Sequence, residues 1–409
     1  MDWGQLAQDR LREIAGHSVD QNGVTRFPFT AEHAAALPVI RDWMQDAGMD
    51  VHMDAAGTLI GRADGPAGAP TLLIGSHQDS VRNGGRYDGI MGIALGCLAV
   101  QRLRAEGTAL PFAVEVLAFA DEEGVRFPTA LMGPRALAGT FDPAVLDMVD
   151  GDGVTLASAL RDFGGAPDAV EGLARDPATI LGYLEVHIEQ GPVLEDMGVP
   201  LGVVTGICGI ERNTVTFRGE TGHAGTVPMV GRRDALVAAA RLIDAVHTAA
   251  RATPDLRATV GALTLRPNVV NAIPSAVDLT LEIRALNDQD RANFAGQAAA
   301  MIDEIAADTG VAATITRTYH QPAVPCDPDL MAALEAGARH ACQTVPHLPS
   351  GATHDASAMA DLCPMGMLFL RCRGGVSHTP DEYASAADMG AAIHALATSI
   401  AHLAARHGA

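Results

Sequence analysis

Short apolar runs that each stop at His, Asp or Glu recur along this chain of 409 residues, and they restrict its fold more than any other feature. Residues 71–74 lead into GSHQDSVRNGGRYDG (75–89), and residues 111–120 lead into Asp121, Glu122 and Glu123. Residues 181–188 carry Glu185 and His187 and pass into Glu189 and Gln190, while 367–372 precede GGVSHTPDE with His378. Runs this short, dense in aliphatic residues and bounded by Gly or Pro, read as buried strands. With helical stretches between them, they predict an α/β fold: a central mixed or parallel sheet flanked by helices. In such a sheet the strand ends open into one crevice, so His77 with Asp88, Glu122 with Glu123, His187 and His378 become neighbours.

The chemistry of that crevice follows from residue type. Side chains alternate along a strand, so His77 and Asp79 share a face, an imidazole beside a carboxylate able to orient it. After two glycines that permit a tight turn, Asp88 supplies a hard oxygen ligand. The plain alternative is a structural turn in which His77 and Asp79 bond only each other. Imidazoles together with carboxylates suit a borderline divalent ion such as zinc, manganese, cobalt or nickel, and the set suffices for two ions if one carboxylate bridges. Glu122 and Glu123 are adjacent and point to different sides of an extended chain. One can hold an ion while the other serves as a general base.

Composition removes several function classes. The balance of 28 basic against 49 acidic residues, a net charge of −21, repels nucleic acid and anionic membranes. The N-terminal stretch lacks the basic start and apolar core of a signal peptide, and the apolar runs are too short to span a bilayer. Six cysteines without a CxxC pair fit reduced thiols, so a cytoplasmic location is expected. Helices are predicted over 2–16 and 31–49, the second capped by Thr30 and closed by Gly48. From residue 210 the pattern turns to alternating strands (213–218, 258–265, 276–284) with helices at 232–251 and 287–308. This predicts an α+β domain at 207–318 inserted into an α/β domain formed by 1–206 and 319–409.

The motifs GSHQDSVRNGGRYDG, FADEEGVRFP, EVHIEQGPVLE, GHAGTVPM, NAIP followed by Arg284, SGATHD and GGVSHTPDE occur in this order across nearly the whole chain. Together they resemble the carbamoylase and allantoate amidohydrolase branch of the dinuclear-metal peptidase/amidohydrolase superfamily. The resemblance implies that His77, Asp88 and His187 hold one divalent ion and Asp88, Glu123 and His378 the other. It further implies Asp79 as the residue orienting His77, Glu122 as the acid/base, and Gln190, His223, Asn271 and Arg284 as substrate contacts, with a backbone role for Gly351. The inserted domain would be a lid and homodimer interface. Thr353 departs from the family pattern SGAGHD, which bears on the shape of that loop. His223, between Gly222 and Gly225, suits an oxyanion hydrogen bond, and Arg284 offers a planar fork for a substrate carboxylate.

The implied reaction is hydrolysis of a ureido group on a small anionic substrate. EEGVRFPT, AGTFDP, PAVPCDP and RCRGGVSHTP resemble the allantoate-hydrolysing subgroup more than the amino-acid carbamoylases, which implies allantoate as the substrate. An N-carbamoyl-L-amino acid or β-ureidopropionate substrate would use the same groups. A non-catalytic metal- or ureide-binding protein is the more distant alternative, opposed by the presence of Glu122.

Overall fold

The computed structural model describes residues 1–407, and the chain divides into two compact units. One comprises Met1–Thr205, Cys326–Leu348 and Ala352–Ala409, the other Gly206–Pro325 with Pro349–Gly351.

The first unit is built on a mixed sheet, nine-stranded among the described residues, whose main strands are β1 (Asp50–Met53), β2 (Leu59–Ala63), β3 (Thr71–His77), β4 (Ala113–Phe119), β5 (Ile180–Ile188), β6 (Leu201–Ile207) and β7 (Met365–Leu370). Their spatial order is β1-β2-β4-β3-β5-β7-β6. The inner four, β4, β3, β5 and β7, are parallel, while β2 and β6 join them antiparallel. Every residue of β3, β4 and β7 is buried, as expected of parallel strands covered on both faces. The helix Ile90–Ala105 is buried on every side through Val100 and contributes Ile93, Leu95 and Leu98 to the main core. The helix Ala31–Asp46 starts where the Thr30 hydroxyl accepts the His33 amide. It ends at Asp46, two positions before Gly48, whose φ of 70° is the left-handed value that glycine adopts without cost.

Two expectations need correction. Strand β3 runs on to His77, so the first imidazole belongs to the strand itself and Asp79 to the turn beyond it. β6 was not foreseen, because LGVVTGI is broken by glycines and shows neither alternation nor a polar stop.

The second unit is an antiparallel sheet in the order Ala312–Gln321, Gly209–Arg218, Ala276–Ala285, Leu256–Thr259, with Leu263–Arg266 also pairing to Ala276–Ala285. The predicted strand 258–265 is therefore two strands, and the sheet continues past residue 318. Along Ala276–Ala285 the odd positions Val277, Leu279, Leu281 and Ile283 are buried. They pack with residues of the helices Ala235–Arg251 and Asp288–Thr309 in one apolar cluster.

Candidate metal centre

The parallel strands deliver their carboxyl-terminal residues to one place in the first unit. His77 closes β3, His187 lies next to the end of β5, Glu122 and Glu123 follow β4, and His378 follows β7. Asp88 sits among them at the start of the helix Ile90–Ala105. Its Oδ1 lies 3.1 Å from His187 Nε2 and 3.7 Å from His77 Nε2, while its Oδ2 lies 3.2 Å from His378 Nε2. One carboxylate thus faces imidazoles on both sides. The ligand atoms of His77, Asp88 and His187 form one compact group, and those of Asp88, Glu123 and His378 form a second.

Two of the imidazoles are oriented from behind. His77 Nδ1 lies 3.0 Å from the Asp79 carbonyl and 3.3 Å from Asp79 Oδ1, and His187 Nδ1 lies 2.9 Å from the Ile188 carbonyl. Both contacts turn the Nε2 atoms inward. Asp79 also accepts the Glu122 and Glu123 amides at 3.1 and 3.2 Å, so one buried side chain fixes the first imidazole and the adjacent Glu pair. Gly89 lets the chain pass close beneath the ring: its φ is 64°, and a Cβ there would lie 2.4 Å from His77 Nδ1. Gln190 and His378 adopt φ of 55° and 58°, left-handed values uncommon outside glycine and often met at functional sites. Gln190 Nε2 then donates to Asp88 Oδ2 at 3.0 Å.

The electrostatics express the same crowding. Burial works against the Asp88 carboxylate, but hydrogen bonds from His187 and His378 outweigh it and hold the group well below the usual range. Asp88 in turn pushes His378 up to about 9. Burial resists protonation of His77, yet the hydrogen bond to Asp79 and the charge of Glu122 raise it well above its ordinary value. Burial raises Glu122 far above the carboxylate range and, with the charge of Asp88, brings Glu123 to about 7. Glu123 Oε1 is buried with no hydrogen-bond partner. A carboxylate oxygen left bare beside His378 and Asp88 fits a divalent cation, as does the mixed nitrogen and oxygen donor set.

The remaining expected contacts lie in the second unit. His223 forms a bridge with Ala272, next to Asn271, and its Nδ1 accepts the Gly225 amide at 3.1 Å. That bond leaves Nε2 as the donor nitrogen of the neutral ring. Arg284 is partly engaged already, with Nε on Glu282 at 2.7 Å and Nη1 on the Gly351 carbonyl at 2.6 Å.

Several further buried groups, to which the sequence reading gave no role, surround the centre. His354 packs edge-on against His187, ring centroids 4.5 Å apart, and with Glu185 and His187 makes a further metal-capable group. Glu185 is occupied by Ser76, Tyr183 and the Ala356 amide, which marks it as a structural anchor. Asp355 is wholly buried with no hydrogen bond to either oxygen, Asp121 is wholly buried near the Gly124 amide, and burial raises both well above the usual carboxylate value. The only signals for these two were their places in the runs DEE and THD.

A mixed sheet carrying such a cluster at its parallel strand ends matches a known family: the model for peptidase family M20/M25/M40 fits residues 73–402. The chain belongs to this family, and it is a hydrolase. It is 40% identical over 387 residues to the N-carbamoyl-L-amino acid amidohydrolase of Geobacillus stearothermophilus, covering 94% of this chain and 95% of that protein. It is 38% identical over 415 residues to the allantoate deiminase of Arabidopsis thaliana, covering 94% and 79%. Among solved structures, an amidase of the hydantoinase/carbamoylase family from Burkholderia multivorans matches with a TM-score of 0.91 at 32% identity over 98% of both chains. The branch inferred from the seven motifs is borne out.

Proposed function

We propose that this enzyme hydrolyses one ureido group of allantoate with one water, giving ureidoglycine, ammonia and carbon dioxide. The observation that carries the hydrolytic reading is Asp88, one carboxylate shared by two ligand groups at the strand ends, and the likeness of EEGVRFPT, AGTFDP, PAVPCDP and RCRGGVSHTP to the allantoate subgroup supports the choice of substrate. His77, Asp88 and His187 would hold one divalent ion and Asp88, Glu123 and His378 a second, zinc or manganese first and cobalt or nickel otherwise; bound there, the ions supply Lewis-acid polarisation and a water of lowered pKa.

The protein's own groups do the proton work. Glu122 lies 4.0 Å from His77 Nε2, where its carboxylate can take a proton from the attacking water and return it to the departing nitrogen. Asp79 holds Glu122 in place through its amide. His223 Nε2 is suited to donate to the oxygen of the tetrahedral intermediate, since Nδ1 is already an acceptor. Arg284 would bind the substrate carboxylate, exchanging its bond to the Gly351 carbonyl, with Asn271 and Gln190 as further polar contacts.

The second unit serves as lid and homodimer interface in this reading. In support, Met229, Val230, Val269 and Val270 are exposed aliphatic side chains on it. We place the enzyme in the cytoplasm. All six cysteines are free and buried, and no helix among the described residues is long and apolar enough to cross a membrane.

The second reading, an N-carbamoyl-L-amino acid hydrolase, is favoured by the 40% identity to the Geobacillus protein. Ammonia release from allantoate and from a panel of N-carbamoyl-L-amino acids, after loading with zinc or manganese, separates the two. Turnover of allantoate supports the proposal, and turnover of the carbamoyl compounds alone transfers it to the second reading. If neither is hydrolysed and Glu122→Gln binds both ligands like the unaltered chain, the protein is a ureide-binding protein.

A further inference from the structure

Glu382 lies four residues beyond His378, is 3% exposed, and accepts three hydrogen bonds. Its Oε1 takes the Tyr87 amide at 2.9 Å and the Asp88 amide at 3.1 Å; its Oε2 takes the Ser377 hydroxyl at 2.8 Å. Space for it is reserved on the opposite loop, where a Cβ on Gly85 would lie 2.1 Å from Glu382 Oε1. The side chain therefore ties the loop bearing His378 to the loop bearing Asp88.

Ser377 makes this tie chemically specific. Its Oγ lies within reach of two carboxylates, Glu382 Oε2 at 2.8 Å and Asp88 Oδ2 at 3.3 Å, and a hydroxyl has one proton to give. The shorter contact takes it. Gln190 Nε2, 3.2 Å away, can then donate to the Ser377 lone pair. We propose that Glu382 is a positioning residue for the ion-holding group of Asp88, Glu123 and His378. It pins the Asp88 backbone and draws the Ser377 proton away from Asp88 Oδ2, leaving that oxygen to Gln190 Nε2 and His378 without a third donor. The inference rests on the two-ion reading given above.

Glu382→Gln tests it while preserving shape. The amide oxygen keeps the Tyr87 and Asp88 N–H bonds, so its NH2 must face Ser377 and donate to it, and the Ser377 proton turns to Asp88 Oδ2. Purified chains are loaded with zinc, the ions per chain are counted by elemental analysis, and retention is titrated against a chelator; circular dichroism confirms the fold. The unaltered chain should retain two ions. Glu382→Gln should lose one of them at a chelator concentration about 10- to 100-fold lower, the usual cost of removing a group behind a metal ligand. In a Ser377→Ala background, which removes the proton, the same substitution should change retention by less than about threefold.

Two ions held by Glu382→Gln as tightly as by the unaltered chain would overturn the proposal, and so would an equal loss in the Ser377→Ala background. Should Glu382→Gln fail to fold, Ser377→Ala alone decides: retention of both ions is required, and loss of one shows that the hydroxyl itself supports the site and refutes the steering role. An unaltered chain that binds no zinc, manganese, cobalt or nickel ion removes the two-ion reading instead, a result visible before any variant is compared.

Discussion

Replacing Gly89 by Ala is the sharpest test of how the first imidazole is held. An added Cβ would meet three atoms of the His77 ring at 2.4, 2.4 and 2.5 Å, where ordinary contacts begin near 3.4 Å. The ring has little room to yield, because it is buried and its Nδ1 is tied to Asp79. The backbone resists as well, since Gly89 has φ 64° and ψ −65°, outside the regions an L-residue favours. Backbone strain of roughly 1–3 kcal/mol and overpacking of a similar size give about 2–6 kcal/mol in all. For a unit of roughly 290 residues, an unfolding entropy of about 2.1 cal/mol/K per residue converts this to a fall of roughly 3–10 °C in Tm. Scanning calorimetry of chelated protein reads the fall, and elemental analysis of loaded protein reads the loss of an ion that His77 would hold. A Gly89→Ala chain that melts within a degree of the unaltered one and keeps its full ion content would refute this account of the His77 pocket.

Other perturbations probe the remaining parts. Glu122→Gln should lower kcat by roughly 10²- to 10⁴-fold while the ion content stays constant, since the side chain is assigned proton transfer and no ligand role; parallel loss of ions would reassign it. Arg284→Lys should raise KM about tenfold or more with a smaller change in kcat, because an ammonium cannot reproduce the guanidinium fork; an unchanged KM for an anionic substrate would remove Arg284 from the binding site. His33 is fully buried with Nδ1 accepting the Phe29 amide, and burial lowers it from 6.5 to about 3. Its neutral form is the folded one, so the stability it contributes is complete above about pH 6.5 and is lost as pH falls from there toward 3. At pH 5 this amounts to about 2 kcal/mol. His33→Gln should flatten the fall in Tm between pH 7 and 5, and an undiminished slope in that variant would place the acid sensitivity elsewhere.

The candidate site positions were legible because a sheet's end imposes a local pattern: a hydrophobic run followed at once by His, Asp or Glu. His77, Glu122, Glu123 and His187 could each be read within a few residues of an apolar run, and the fold class followed from the same runs. Glu382 and Asp355 gave no comparable signal. A Glu four residues past a His is common, and only the folded chain shows that it accepts the Asp88 amide from 294 positions away.

By itself the sequence determined the α/β class, the strand ends that bear chemistry and the chemical types gathered there, because burial and side-chain alternation act over neighbouring residues. Tertiary structure alone decided that Asp88 turns one oxygen to His187 and the other to His378, that Asp79 serves both His77 and the Glu pair, and that Ser377 Oγ lies closer to Glu382 than to Asp88. Those outcomes depend on separations of a few tenths of an ångström between segments far apart in the chain. Such separations are set by how the strands and loops pack, which no local pattern encodes.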